Sequence, residues 1–248
     1  MLRHNKLILK FTIIFSLLLI SFFSFGITRW LDSSYYKSID TIELDPKSSE
    51  SFDPIFIDGN DDFNQTAFDN NWDGNGSYNN PYIIENYIIY ATSDTHGIEI
   101  RNTDVYFIIN NVSVLDGRSN YNIGFYFENI TNGHITNSSA ENNIAGFLLK
   151  DSVNNTFSNN IANYNFHGFR IWHSLNNTFI NNTAKENIEY GFYLDNTDDD
   201  SCANNSLVGN IAENNYKDGF YLIKTTNNSL INNYANNNNY NDYNGLRI

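Results

Sequence analysis

The chain repeats itself, and that repetition limits what it can fold into more than any other feature. A glycine followed by an apolar residue recurs at Gly97-Ile-Glu-Ile, Gly124-Phe-Tyr-Phe, Gly146-Phe-Leu-Leu, Gly168-Phe-Arg-Ile, Gly191-Phe-Tyr-Leu, Gly219-Phe-Tyr-Leu and Gly245-Leu-Arg-Ile. The intervals are 27, 22, 22, 23, 28 and 26 residues, so a period of 22 carries insertions. Between these glycines lies a second element: Thr156-Phe-Ser-Asn-Asn-Ile-Ala, Thr178-Phe-Ile-Asn-Asn-Thr-Ala, Ser206-Leu-Val-Gly-Asn-Ile-Ala and Ser229-Leu-Ile-Asn-Asn-Tyr-Ala. A unit this short cannot bury its own apolar face and must stack on its neighbours, which makes the chain a solenoid.

Apolar residues alternate over a few positions and are broken by Gly and Asn, the pattern of short strands joined by turns. About 22 residues make one coil of two or three strands, each pairing with its equivalent one coil on, about 4.8 Å away. The predicted fold is all-β: a single-stranded, right-handed parallel β-helix with an N-terminal signal or anchor helix and a short N-terminal cap. Stacking also gives the many asparagines a role. Asn160, Asn182, Asn210 and Asn233 fall in register, with Asn111 the expected first member. Asn143, Asn165, Asn187 and Asn215 form a second set. Amides stacked in register hydrogen-bond along the axis and satisfy buried turns, and Asn tolerates the left-handed backbone that turns need.

Only 17% of residues are charged, yet 19 Phe and 17 Tyr supply a core, which excludes a disordered chain. The net charge of −14 repels phosphate backbones and excludes nucleic acid as a natural partner. Cys202 is the single cysteine, so no intrachain disulfide forms. Arg3, Lys6 and Lys10 precede an uncharged apolar run from Phe11 to Ile27, a signal peptide or membrane anchor that exports the rest to the cell surface or beyond. The expected organisation is leader over 1–27, stalk over 28–53, cap and first coil over 54–96, and β-helix repeats over 97–248. The last coil, at Gly245-Leu-Arg-Ile248, reads as cut short. Residues 61–72 are expected to form a capping helix with Phe63, Ala67 or Phe68, and Trp72 on one side.

Asn155-Thr-Phe157-Ser-Asn-Asn160-Ile-Ala162 followed by Asn165-Phe-His-Gly168-Phe169-Arg-Ile171 resembles the right-handed parallel β-helix repeat. Pro54-Ile-Phe-Ile, Asn71-Trp72-Asp-Gly74-Asn-Gly76-Ser77 and Pro81-Tyr-Ile-Ile-Glu85 resemble the opening segment of NosD-like surface proteins of archaea and bacteria. The resemblance covers about residues 54–248. It implies a carbohydrate-binding or sugar-hydrolysing surface protein, or a relative of copper-associated NosD. The fold hosts lyases, hydrolases, adhesins and passive stalks alike, so function rests on the site.

In the strand after each Gly, alternation turns the second and fourth following residues outward. They run Glu99 and Arg101, Tyr126 and Glu128, Leu148 and Lys150, Arg170 and Trp172, Tyr193 and Asp195, Tyr221 and Ile223. Aromatic rings stack on sugar rings, and polar neighbours bond hydroxyls. The glycan-binding candidates are Tyr126, Arg170, Trp172, His173, Tyr193, Asp195 and Tyr221, with polysaccharide or glycoprotein glycans as partners. The competing view is an ordinary solvated sheet face, since Tyr and Trp favour strands anyway. A structural or adhesive protein without a small ligand is the second reading, and a lyase or hydrolase the third. An inverting hydrolase needs two carboxylates roughly 6.5–9.5 Å apart. Asp195 near Arg170, and Asp198-Asp199-Asp200 in an insertion, are the acidic candidates, though the latter reads better as a solvated loop.

Asp69-x-Asn71-x-Asp73-Gly74 matches the first half of an oxygen-ligand loop, so calcium is a candidate cofactor on Asp69, Asn71 and Asp73. The acidic residue that would close such a loop is Asn80 instead, and the five His show no copper-ligand spacing. Ten Asn-x-Ser/Thr sequons occur, among them Asn64, Asn111, Asn176 and Asn227. Those on outward turns are open to glycosylation, while those in stacked ladders are not.

Overall fold

The computed structural model describes residues 51–92, 95–196, 202–238 and 245–248. The leader, most of the stalk and the acidic insertion Asp198-Asp199-Asp200 lie outside the described residues. Three parallel sheets of eight, eight and seven strands run the length of the coils, and each coil contributes one strand to each sheet. The glycine-led sheet contains Ile98–Thr103, Phe125–Ile130, Ala145–Lys150, His167–Trp172, Phe192–Asp195 and Phe220–Ile223. A second sheet is built on the alanines of Ser139–Glu141, Ile161–Asn163, Thr183–Lys185 and Ile211–Glu213. The third takes Thr156–Ser158, Thr178–Ile180 and their equivalents. Ser51–Phe52, within the segment expected to be stalk, already pairs with Ile88 and Ile89.

Identical side chains stack because equivalent residues pair. Phe125, Phe147, Phe169, Phe192 and Phe220 form a continuous inner column, with centroids 4.5, 4.8, 4.8 and 4.8 Å apart and planes within 8°. That spacing is the strand repeat itself, within the range of favourable offset stacking. In the other two sheets the strands Thr156–Ser158, Ile161–Asn163, Thr178–Ile180 and Thr183–Lys185 each bury only the central side chain, Phe157, Ala162, Phe179 and Ala184 in turn. The repeat's glycine is required where the alanine sheet turns into the glycine-led sheet. A Cβ on Gly168 would sit 2.4 Å from the Gly191 carbonyl oxygen and 2.9 Å from the Ala184 Cβ.

The cap helix runs Asn60–Asp69, and it buries Phe63 and Ala67 while Phe68 stays 78% exposed. Phe63 packs on Trp72, Tyr82 and Phe107, which seals the apolar interior at this end of the coils.

The asparagines divide the labour more finely than the sequence indicates. At each corner the first Asn of a pair takes a positive φ and faces solvent, as Asn159 and Asn181 do at 56° and 53°. The second Asn is buried and bonds along the axis. Asn182 donates from its backbone N–H and its amide to Asn210 Oδ1, and from the amide again to Phe157 O. Its own Oδ1 accepts from Asn160. The ladder through Asn160, Asn182, Asn210 and Asn233 is therefore continuous. Asn111 is not its first member. Its φ is 53° and its amide bonds Asn86, so it holds the outer position, and Ser138 precedes Asn160 instead. The set at Asn143, Asn165, Asn187 and Asn215 forms a second ladder that runs on to Asn238. A third ladder, Asn155, Asn177, Asn205 and Asn228, completes the set. The sequon residues Asn154, Asn176, Asn204 and Asn227 occupy exposed outer positions, not the ladders.

Candidate functional site

The outer face of the glycine-led sheet presents two columns set by strand register. In one, Glu99, Tyr126, Leu148, Arg170, Tyr193 and Tyr221 pair in succession. In the other, Arg101, Glu128, Lys150, Trp172, Asp195 and Ile223 do so. The alternation places all seven glycan-binding candidates on this face or at its corner. His173 sits at the corner, φ 48°, with Nδ1 3.5 Å from Asp151 Oδ1 and its ring 5.1 Å from Trp172.

The face concentrates rings around Arg170. Its guanidinium lies 5.1 Å from the Trp172 ring and 5.4 Å from the Tyr193 ring, and it donates to the buried Asp195 carboxylate at 3.0 Å. Tyr193 stacks on Tyr221 at 5.4 Å with planes 6° apart. Tyr190 packs against both, at 4.9 and 4.8 Å. His167 completes the tract, 5.7 Å from Tyr190 and 5.5 Å from Tyr193. Tyr190 precedes the repeat glycine Gly191, outside the second-and-fourth rule, so alternation counted from Gly missed it. The signal available was a ring side chain before three of the repeat glycines, at His96, His167 and Tyr190.

Several polar atoms here are buried and unpartnered among the described residues: Arg170 Nε, Trp172 Nε1, His167 Nδ1 and Asp195 Oδ1. Buried polar atoms without partners are uncommon and call for an explanation. Burial, with Arg170 and Lys217 nearby, pushes the His167 imidazole down to about 3. Its 3.9 Å contact with Glu189 is therefore not an ion pair near neutral pH. Burial and the Asp195 carboxylate raise the Tyr193 phenol, which keeps it protonated and able to donate.

A second cluster lies further up the face. Arg101 touches Glu99 at 2.5 Å and Glu128 at 3.6 Å, and Lys150 pairs with Glu128. Burial raises the Glu99 carboxyl. Burial also opposes the charge on Glu128, but hydrogen bonds from Lys150 and Tyr126 outweigh it and hold that carboxyl low. At the adjoining corner lies an open groove of about 380 Å³, lined by Asn60, Asn102, Thr103, Asn129 and Thr131 with Asp104 and Asp151.

The calcium candidates lie at and just beyond the end of the cap helix. Asp69 accepts from Gln65 at 2.8 Å, Asn71 adopts φ 54°, and the Asp73 carbonyl accepts the Ile83 N–H. A Cβ on Gly74 would lie 1.9 Å from Pro81 O, so chain crossing alone explains that glycine.

These features define a parallel β-helix repeat protein with a ring-lined outer face. The model of the family described as periplasmic copper-binding protein (NosD) matches residues 57–247, and the chain belongs to that family. Among solved structures, it is similar to the A-module of mannuronan C-5 epimerase AlgE4 of Azotobacter vinelandii. Identity is 18% over 62% of this chain and 52% of that one, with a TM-score of 0.46. It is also similar to the periplasmic alginate epimerase AlgG, at 19% identity over 63% and 42% of the two chains, TM-score 0.30. The chain thus spans about half the length of these structures or less. No curated protein matches it.

The family's description raises copper as a ligand. Among the described residues, no three or more His, Cys, Asp or Glu side chains group so as to hold a metal ion. His134 faces Ser158, His173 faces Asp151, and His96 accepts the Ile123 N–H. Cys202 is buried, with its thiol pushed up to about 12. The described residues do not fit a resident copper ion.

Proposed function

We propose that the protein is an exported β-helix binding module whose glycine-led face takes a carbohydrate. The observation that carries this reading is the ring tract of Trp172, Tyr190, Tyr193 and Tyr221 around the half-buried Arg170 guanidinium. Stacked rings offer flat apolar platforms one coil apart, and the Arg170 side chain, 30% exposed, offers guanidinium N–H donors for sugar hydroxyls. The family description as periplasmic supports export, as does the N-terminal apolar run. The test is retention on immobilised polysaccharides: the native chain is retarded, and Trp172→Ala with Tyr193→Ala elutes with the void. Retention unchanged by both substitutions overturns the reading.

One observation favours a second reading, a glycoside hydrolase. Glu99 and Glu128 share Arg101, and their environments push their titrations apart, as an acid and a base require. Release of reducing ends that is abolished by Glu128→Gln would establish it; no release from any bound polymer removes it.

A further inference from the structure

Resting on the carbohydrate reading, we infer that the ligand is a neutral, hydroxyl-rich polymer and not a polyanion. The face holds cations, but the fold matches them. Arg101 contacts Glu99 and Glu128, Lys150 contacts Glu128 and Asp151, Arg170 bonds Asp195, and Lys217 pairs with Glu189. Arg247, at the end of the described coils, stacks on Tyr221. A carboxylated or sulfated chain would have to displace these partners, and at Arg101, Lys150, Arg170 and Lys217 each displacement leaves a carboxylate without its cation. Asp195 shows the difficulty best, because its side chain is only 3% exposed.

The corner groove points the same way. Asp151 joins it to the ring-lined face by contacting both Lys150 and His173, and Lys150 lies over the Trp172 ring. Its lining is amide, hydroxyl and carboxylate beside the aliphatic Ile130 and Val153, with no Lys or Arg. Asn129 donates to Asn102 Oδ1, and the Thr131 hydroxyl donates to Val153 O, a surface of groups that exchange hydrogen bonds readily with sugar hydroxyls. Asp104 and Asp151 would repel an anionic polymer at the same place. The net charge of −14 adds a long-range barrier to polyanions.

The experiment compares the protein on neutral gels, such as β-glucan and mannan, with a polygalacturonate gel at about 0.15 M salt, where contacts beyond a Debye length are screened. The expected result is retardation on a neutral gel and void elution from polygalacturonate. Glu128→Gln and Glu189→Gln unmask Lys150 and Lys217 and should each create retention on polygalacturonate. Pairing each with Lys150→Gln or Lys217→Gln should abolish that gain, and circular dichroism checks that all variants remain folded. Retention of the native protein on polygalacturonate alone overturns the inference while leaving carbohydrate binding intact. Void elution from every gel overturns the carbohydrate reading itself.

Discussion

Asn182 and Asn210 are 28 residues apart in the chain, yet the Asn182 amide donates to the Asn210 carbonyl oxygen at 3.0 Å inside the core. Asn160 and Asn182 make the same bond at 3.1 Å across only 22 residues. The longer spacing leaves the ladder bond unchanged, because the amide register and not the loop length fixes the corner.

Asn182→Ala should therefore cost about 3–5 kcal/mol, since it strands the Phe157 carbonyl and the Asn160 donors in a fully buried corner. Asn181→Ala, one residue earlier, should cost only about 1 kcal/mol, the strain of a left-handed alanine at an exposed position. Urea denaturation measures both. Equal losses would mean that the buried amide bonds contribute nothing special.

Gly168→Ala should destabilise by about 3 kcal/mol or more, because the added methyl meets the Gly191 carbonyl and Ala184 at distances no rotamer relieves. Gly209→Asn is the counterpart. It sits at φ 65° in the outer corner position that Asn181 and Asn232 hold, where only the Asn181 side chain must move. Thermal melting should show that variant within about 0.5 kcal/mol of the native chain.

The Arg170–Asp195 pair is asymmetric, with side-chain exposures of 30% and 3%. Arg170→Met should cost about 2 kcal/mol, discounted for the solvent around the guanidinium, because it leaves a buried carboxylate alone. Adding Asp195→Asn should recover most of that loss. A double-mutant cycle reads the coupling, and strictly additive losses would show that the two groups do not depend on each other.

His167 predicts a pH dependence. Its folded value lies below its unfolded value, so the stabilisation is complete above the ordinary imidazole range and is lost as pH falls from about 6.5 toward 3. Between pH 7 and pH 5 the native chain should lose roughly 2 kcal/mol through this one group, at about 1.4 kcal/mol per unit. His167→Phe keeps a ring against Tyr190 and Tyr193 without titrating, and should flatten that segment of the stability profile. Parallel profiles for the two proteins would contradict the assignment.

The sequence by itself determined the period, the coil and the inward or outward sense of each residue after the glycines. Alternation is local, so it needs no knowledge of what stacks on what. It placed Phe169 and Ile171 inside and Arg170 and Trp172 outside, as the structure does. What it left open was decided between coils. Adjacent asparagines such as Asn181 and Asn182 are chemically identical, and only the position of the corner makes one a left-handed turn residue and the other a buried ladder member. That is why Asn111 was assigned to the wrong column. The same holds for the face. Tyr190 meets Tyr221, and Arg101 meets Glu128, only because parallel pairing carries residues 31 and 27 apart into contact. The separation that brings two groups together varies with each insertion, and the register that absorbs those insertions exists only once the coils have stacked.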